Sequence, residues 1–225
     1  MKIIVAIVLF FVVSTTNAQK TNQFDANNKR HGIWQKKYNN GRIRYQGEFN
    51  HGKEIGIFKS YSAASSDHPT VIREFNATND IANVKFYSKS GKLKSTGKMA
   101  KKNRIGKWLY YHNDGKTIMQ EEFYINNILN GDYKTFYSNK KPTILTFYQN
   151  GKIHGSYKRY SVNNHIYQDL TYVNGKLEGE ATYYDRLTGI IRESGNYHND
   201  LRIGSWKIYI DGEYSHSIDA EKPKH

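Results

Sequence analysis

A short aromatic phrase returns eight times along the chain, and in seven of the eight it opens on a glycine: Gly32, Gly56, Gly106, Gly131, Gly155, Gly179 and Gly204. Successive glycines stand 24, 50, 25, 24, 24 and 25 residues apart. The gap of 50 is two periods, and its missing member is the phrase around Ala82 that ends in Phe86-Tyr87. A fixed period in the twenties marks a stacked repeat array, in which each unit buries its faces only against its neighbours. Size in such a chain grows by adding units, so length says little about the number of domains.

With the glycine as position zero, position +2 reads Trp34, Phe58, Val84, Trp108, Tyr133, Tyr157, Ala181 and Trp206. Position +5 reads Lys37, Tyr61, Tyr87, Tyr111, Phe136, Tyr160, Tyr184 and Tyr209. A third column at +17 runs through Phe49, Met99, Phe123, Tyr148 and Tyr172, with Tyr197 one residue late. Asn40-Gly41, Ser90-Gly91 and Asp114-Gly115 punctuate the first gap between columns, and His51-Gly52, Asn150-Gly151 and Asn174-Gly175 the second. Such pairs supply the positive φ angles of tight hairpin turns. Each unit is therefore strand, turn, strand, turn.

Helices are excluded locally, because the stretches between turns are about five to eight residues long and rich in Tyr, Trp, Phe, Ile and Thr. Strands joined by turns this short pair as antiparallel neighbours. The expected fold is all-β: an elongated antiparallel β-hairpin array of seven to eight units of 24–25 residues over 19–216. That gives roughly 15 strands at ~4.8 Å each, a twisted ribbon on the order of 70 Å long. Residues 62–80 read as an irregular insertion with one strand-like run, Val71 to Phe75, and 217–225 as a disordered tail.

The first 18 residues differ from the rest. Lys2, an apolar run from Ile3 to Val13, then Thr16 and Ala18 have the order of a secretory signal cleaved between Ala18 and Gln19. The run falls short of the ~20 apolar residues of a spanning helix, and no second one follows, which predicts a soluble, exported mature chain. There is no cysteine, so neither a disulfide framework nor a thiolate metal site is available. Lys and Arg number 34 against 20 Asp and Glu, a net charge of +14, and cleavage would remove only Lys2 from that excess. Outside the cytoplasm such a charge points to anionic glycans, lipid surfaces or envelope polyanions ahead of nucleic acid.

Units built on G-x-W-x-x-Y, N-G-K and an aromatic strand resemble MORN-type repeats, in the variant form of bacterial YwqK-family antitoxins. Asn150 to Tyr160 and Asn174 to Tyr184 match best, and the resemblance spans about 31 to 214. It implies a hairpin array that serves as an interaction surface, in some members at membranes, and it implies no chemistry. The degenerate unit at Ala82 and the insertion before it depart from the pattern. An antitoxin role would sit with an export signal only if the toxin were exported too.

No enzymatic constellation stands out: there is no G-x-S-x-G, no H-E-x-x-H and no phosphate loop. Histidines such as His31, His51 and His154 follow the repeat, not a coordination sphere, and no metal or cofactor is expected. Position +3 does rise above background, with Lys59, Lys85, Lys134, Lys158 and Lys207 among its eight members. Side chains alternate across a strand, so this column shares a face with the +5 tyrosines. The lysines either hold a long anion together or shield the aromatic rows of an open sheet with their stems. The functional expectation is a non-enzymatic exported scaffold that binds a protein or anionic polymer. Attachment to membrane or envelope surfaces and an antitoxin or immunity-type inhibitor are the alternatives.

Overall fold

A computed structural model describes residues 20–76 and 78–220. The proposed signal and its cleavage site at Ala18 and Gln19 lie outside the described residues. The described chain is one 18-stranded sheet without a helix. After the two-residue β1 (Gln23–Phe24) come β2 (Arg30–Lys37), β3 (Ile43–Asn50), β4 (Lys53–Ser60), β5 (Val71–Phe75), β6 (Ile81–Tyr87) and β7 (Leu93–Ala100). There follow β8 (Asn103–Tyr111), β9 (Ile118–Ile125), the short β10 (Ile128–Leu129), β11 (Gly131–Phe136) and β12 (Pro142–Gln149). The series closes with β13 (Lys152–Tyr160), β14 (Ile166–Val173), β15 (Lys176–Tyr184), β16 (Ile191–His198), β17 (Leu201–Ile210) and β18 (Glu213–Asp219). Every pairing is antiparallel, as short connections require.

Two kinds of turn alternate, and they give the ribbon two unlike rims. One rim carries tight turns such as Asn150-Gly151 (φ 51° and 79°) and Asn174-Gly175 (φ 51° and 86°), left-handed at both residues as the twist of a hairpin prefers. The other carries longer turns closed by bonds such as Tyr38 N to Arg42 O and Ser161 N to His165 O. In two units the long turn gains a residue, closing from His112 to Thr117 and from Asp185 to Ile190. This extra residue is why two glycine spacings are 25, and it shifts everything downstream by one.

The shift corrects the third column. Gly131 and Gly155 pair with Tyr148 and Tyr172, whereas Gly106 pairs with Tyr124 and Gly179 with Tyr197. Tyr124, not Phe123, is therefore the column member. Tyr124 is 5 % exposed in the core, while Phe123 is turned out at 42 %.

Apart from Gly32, each repeat glycine sits in a bulge. Between the pairs Leu170–Ala181 and Tyr172–Leu177 there is one residue on β14 and three on β15, centred on Gly179 with φ 85°. Only a residue free to adopt that left-handed angle passes there without strain. Beyond the bulge, +2 and +4 point to one face and build the core. Ala82, Val84, Trp108 and Tyr124 form one cluster, and Leu170, Ala181 and Trp206 another.

One expectation gains detail and one changes. The strand-like run expected at Val71 to Phe75 within 62–80 is β5, which pairs with both β4 and β6 in unbroken register. The 61–70 stretch is a long turn held to its neighbour: Arg42 donates to the carbonyls of Ala63 and Ala64, and Asn40 Nδ2 to Ala63 O at 2.9 Å. The tail is likewise ordered at its start. Ser217 pairs with Lys207 and Asp219 with Ser205, because an exposed β17 edge accepts one more strand whatever its hydrophobicity.

Candidate binding surface

The +3 column is a continuous row across the sheet. Gln35 faces Gln46, Gln46 faces Lys59, Lys59 faces Ile72, and Ile72 faces Lys85. Thr96, Leu109 and Glu121 carry the row to Lys134; Leu145 joins Lys134 to Lys158. Asp169, Thr182 and Ser194 then lead to Lys207. Lysines two strands apart are spaced by ~10 Å. The row is not purely basic, however, because the strands between the lysines contribute Glu121 and Asp169.

Lys158 Nζ lies 3.0 Å from Asp169, and Lys134 Nζ lies 2.9 Å from Asp132. The hydrogen bond that Lys134 donates to Asp132, and Lys158 to Asp169, is the first cause that raises both ammonium groups above their usual range. Both side chains are 38 % exposed, more covered than an open ladder implies. Two residues before each +3 position, on the same face, stands a second row. It includes Asp132 and Glu180, and its partners across the sheet include Glu48, Glu74 and Asp219. Lys107 pairs with Glu121 between the rows at 2.8 Å. The lysine face is thus a patchwork of both signs.

The aromatic face carries arginines that the column reading missed. Arg202 stacks over Trp206 at 3.9 Å from the ring centroid, Arg104 over Trp108 at 5.9 Å and Tyr124 at 4.1 Å, and Arg30 over Trp34 at 5.2 Å. Their sequence signal is plain once seen: all three tryptophans lie in Arg-x-Gly-x-Trp. The two residues on either side of the bulge project to the same face, so the arginine covers the indole. These cations are occupied. Arg202 binds Glu193 through both guanidinium nitrogens at 2.8 and 3.0 Å, and Arg104 donates to Tyr110 and Tyr124 hydroxyls at 3.0 and 2.7 Å. Tyr124 in turn donates to the buried Glu122 carboxylate at 2.6 Å, and burial, followed by that carboxylate, pushes its phenol far up.

The excess positive charge collects at the rim of long turns. Lys36, Lys37, Arg42 and Arg44 stand at its first turn, Lys89, Lys92 and Lys94 at its third, and Lys140 and Lys141 at its fifth. Arg159, Arg186 and Arg192 stand at the next two. Carboxylates there are few, and Asp114 and Asp185 are folded into their own turns. Asp114 accepts from Lys116 N and Thr117 N at 2.9 Å each, and hydrogen bonds with Thr117 lead the causes that lower its carboxyl to about 2. On the rim of tight turns the lysines Lys29, Lys53, Lys101, Lys102, Lys152 and Lys176 are interspersed with Asp25, Asp80, Glu178 and Asp200, and three of the acidic groups have partners. Asp25 sits 2.5 Å from His51, Lys53 2.6 Å from Asp80, and Glu178 2.8 Å from His198. These histidines are partners in turns, and among the described residues no three metal-binding side chains converge.

Two grooves open on the basic rim. One is lined by Lys36, Lys37, Tyr38, Arg44 and Ala63, with Arg44 5.8 Å from the Tyr38 ring. The other, of about 500 Å³, lies between the last two long turns and is lined by Tyr167, Tyr183, Tyr184, Arg186, Arg192 and Tyr209. A rim of this kind escapes a column reading because its residues vary in position from turn to turn.

The MORN repeat variant family matches residues 30–51 and 129–150, each running from the start of an outgoing strand to the following tight turn. No curated protein matches the chain. The hairpin array seen in the sheet is what such repeats build, and it marks the chain as similar to repeat scaffolds and binding proteins.

Proposed function

We propose that this chain is an exported, non-enzymatic scaffold that holds an extended anionic polymer along its basic rim, with Lys59, Lys85, Lys134, Lys158 and Lys207 as a secondary row behind it. The observation that carries this reading is the contrast between rims: among the described residues the long-turn cations form no ion pair and face few carboxylates, whereas the lysines of the tight turns are interspersed with Asp25, Asp80, Glu178 and Asp200. Units recur every ~10 Å, close to the screening length at 0.1 M salt, so successive turns repel weakly and act together on one long anion. Export rests on the Ile3 to Val13 run and the Ala18 site. Protein recovered from its source with Gln19 at the terminus supports it, and an intact Met1 or Lys2 sinks it.

The polymer reading is tested on a column of immobilised sulfated glycan. Retention should fall steeply as salt rises, since binding releases counterions. Changing Lys36, Lys37, Arg42 and Arg44 to glutamate should advance elution far more than the same change at Lys101, Lys102, Lys152 and Lys176 on the opposite rim. Equal shifts would mean that net charge alone acts. An inhibitor role, which the antitoxin resemblance implies, is favoured by one feature, the anchored 61–70 turn. A packed interface there would be insensitive to salt.

A further inference from the structure

We infer that the cleft between the last two long turns recognises a carboxylate-bearing sugar ring within such a polymer. The inference rests on the anionic-polymer reading above and adds to it a site and a ligand. Its centre is Tyr167. In the pairing of β13 with β14, Arg159 faces Gln168 and Tyr160 faces Ile166, so Tyr167 is the extra residue of a bulge. Tyr183–Glu193 and Tyr184–Ile191 leave Arg192 in the same position one unit on. A bulged residue is freed from the ladder and re-aimed, which places a tyrosine and an arginine side by side at the rim. The equivalent residues elsewhere include Arg44, Lys94, Met119 and Thr143, so the aromatic bulge is particular to this cleft.

The Tyr167 ring has two guanidinium groups within cation–π distance, Arg159 at 5.5 Å and Arg186 at 5.3 Å. Among the described residues neither these nor Arg192 forms an ion pair, unlike Arg73 and Arg202 on the aromatic face. The carboxylates nearby are already engaged. Asp185 accepts from Leu187 N, Thr188 N and Thr188 Oγ1 at 2.8 to 3.0 Å, and Glu193 is gripped by Arg202. A tyrosine-lined groove with free arginines offers ring faces for the C–H side of a pyranose, hydroxyls for its oxygens and a fork for a carboxylate. A bilayer would find less to hold: the exposed apolar tips are Val162 on one turn and Leu187 with Ile190 on the next, between Arg186 and Arg192.

The full chain should be titrated by calorimetry with a galacturonic acid oligomer, its methyl-esterified form, and vesicles of phosphatidylglycerol and phosphatidylcholine. The acid oligomer should bind, and the ester should bind at least about tenfold more weakly because the charged fork is lost. Tyr167→Ala and the pair Arg159→Gln, Arg186→Gln should each weaken binding by roughly tenfold, while Tyr167→Phe keeps it and reports an intact fold. The pair Lys89→Gln, Lys92→Gln removes the same charge elsewhere on the rim and should change little. If it weakens the oligomer as much as the arginine pair, the cleft is overturned while the basic rim stands. Equal binding of ester and acid, or binding of vesicles but not oligomer, overturns the sugar acid. Failure to bind any polyanion, sulfated glycan included, removes the rim reading along with it.

Discussion

On one face of the sheet Trp108 lies flat on Gly97 with Arg104 over it, and Trp206 lies on Gly195 under Arg202. On the other face Lys134 and Lys158 stand in a row among carboxylates, each more than a third exposed. Both faces are built from the same strands, yet only the first is packed. An open sheet has one layer, so its core forms between aromatic rings, the backbone beneath them and the cations above. Neighbouring units interlock through edge-on rings such as Phe49–Phe58 at 5.1 Å and Tyr197–Trp206 at 5.2 Å. The lysine face is left free to vary, and the two faces should respond to substitution by very different amounts.

The largest effect is expected at Gly195. A Cβ there would stand 2.4 Å from Trp206 Cδ2, and at Gly97 2.3 Å from Trp108 Cδ2. Neither ring has room to move, so Gly195→Val should cost ~3 kcal/mol or more. Because repeats couple to their nearest neighbours, hydrogen exchange should rise in β14 to β18 and stay unchanged in β2 to β4. Uniform loss of protection would show that the array unfolds as one unit and erase the local character of the packing.

Arg202→Gln comes next. It removes the cation from Trp206 and leaves Glu193 without its two bonds, for a loss of about 1–2 kcal/mol in urea unfolding. Arg202→Gln combined with Glu193→Gln should recover part of the loss. A double variant as unstable as the sum of both single changes would mean that the pair is not coupled.

The glycine period, the turn signals and the aromatic positions were enough to read the hairpin array, because a repeated unit states its strand pattern many times over. The details that escaped are those in which the register slips. One extra residue in the His112 to Thr117 turn moved the core position from Phe123 to Tyr124, and periodic counting cannot tell a longer turn from a changed strand. The arginine covers were visible in Arg-x-Gly-x-Trp, but a bulge of three residues against one had to be known before position −2 could be placed above +2. The candidate surface was legible only as a lysine column. Its carboxylate neighbours Glu121 and Asp169 sit on adjacent strands, and the rim charge lies in turns of unequal length, so both needed the pairing itself; Asp132, two residues before Lys134 on the same strand, did not.

The two faces also differ in their response to pH. Burial first of all raises the phenols of Tyr124, Tyr133, Tyr157, Tyr172 and Tyr183 in the aromatic core above the ordinary 10.0. A phenol raised on folding stabilises the fold fully below its unfolded value, and that contribution is lost as pH rises through the folded values. The phenols should therefore leave thermal melting unchanged below pH 10.0 and lower it above, with tyrosine absorbance changing together with unfolding. At the acid end the turn carboxylates act in the opposite sense. Asp114, lowered from 3.8 to about 2, contributes above 3.8 and loses that contribution as pH falls toward about 2. Being exposed, it should produce a shallower decline than the phenols do. A steeper acid limb would place the main electrostatic strain in the turns, not in the core.

The smallest effect is expected where the sequence first pointed. Changing Lys134 and Lys158 together to glutamine removes two cations but also frees Asp132 and Asp169, which are partly exposed and rehydrate easily. Stability should stay within ~0.5 kcal/mol, as for most surface ion pairs. Retention on a sulfated glycan should fall slightly, because each lysine already has a carboxylate within 3.0 Å and offers a polymer only part of its charge. The pair Lys101 and Lys102, in a tight turn off the row, is the matched control. If the row variant weakens retention several-fold more than this control, and as much as the Lys36, Lys37, Arg42 and Arg44 variant, the lysines are the principal contact and the polymer lies across the face. If it matches the control, the row is mainly a cover whose heads Asp132 and Asp169 neutralise, leaving the binding to the rim.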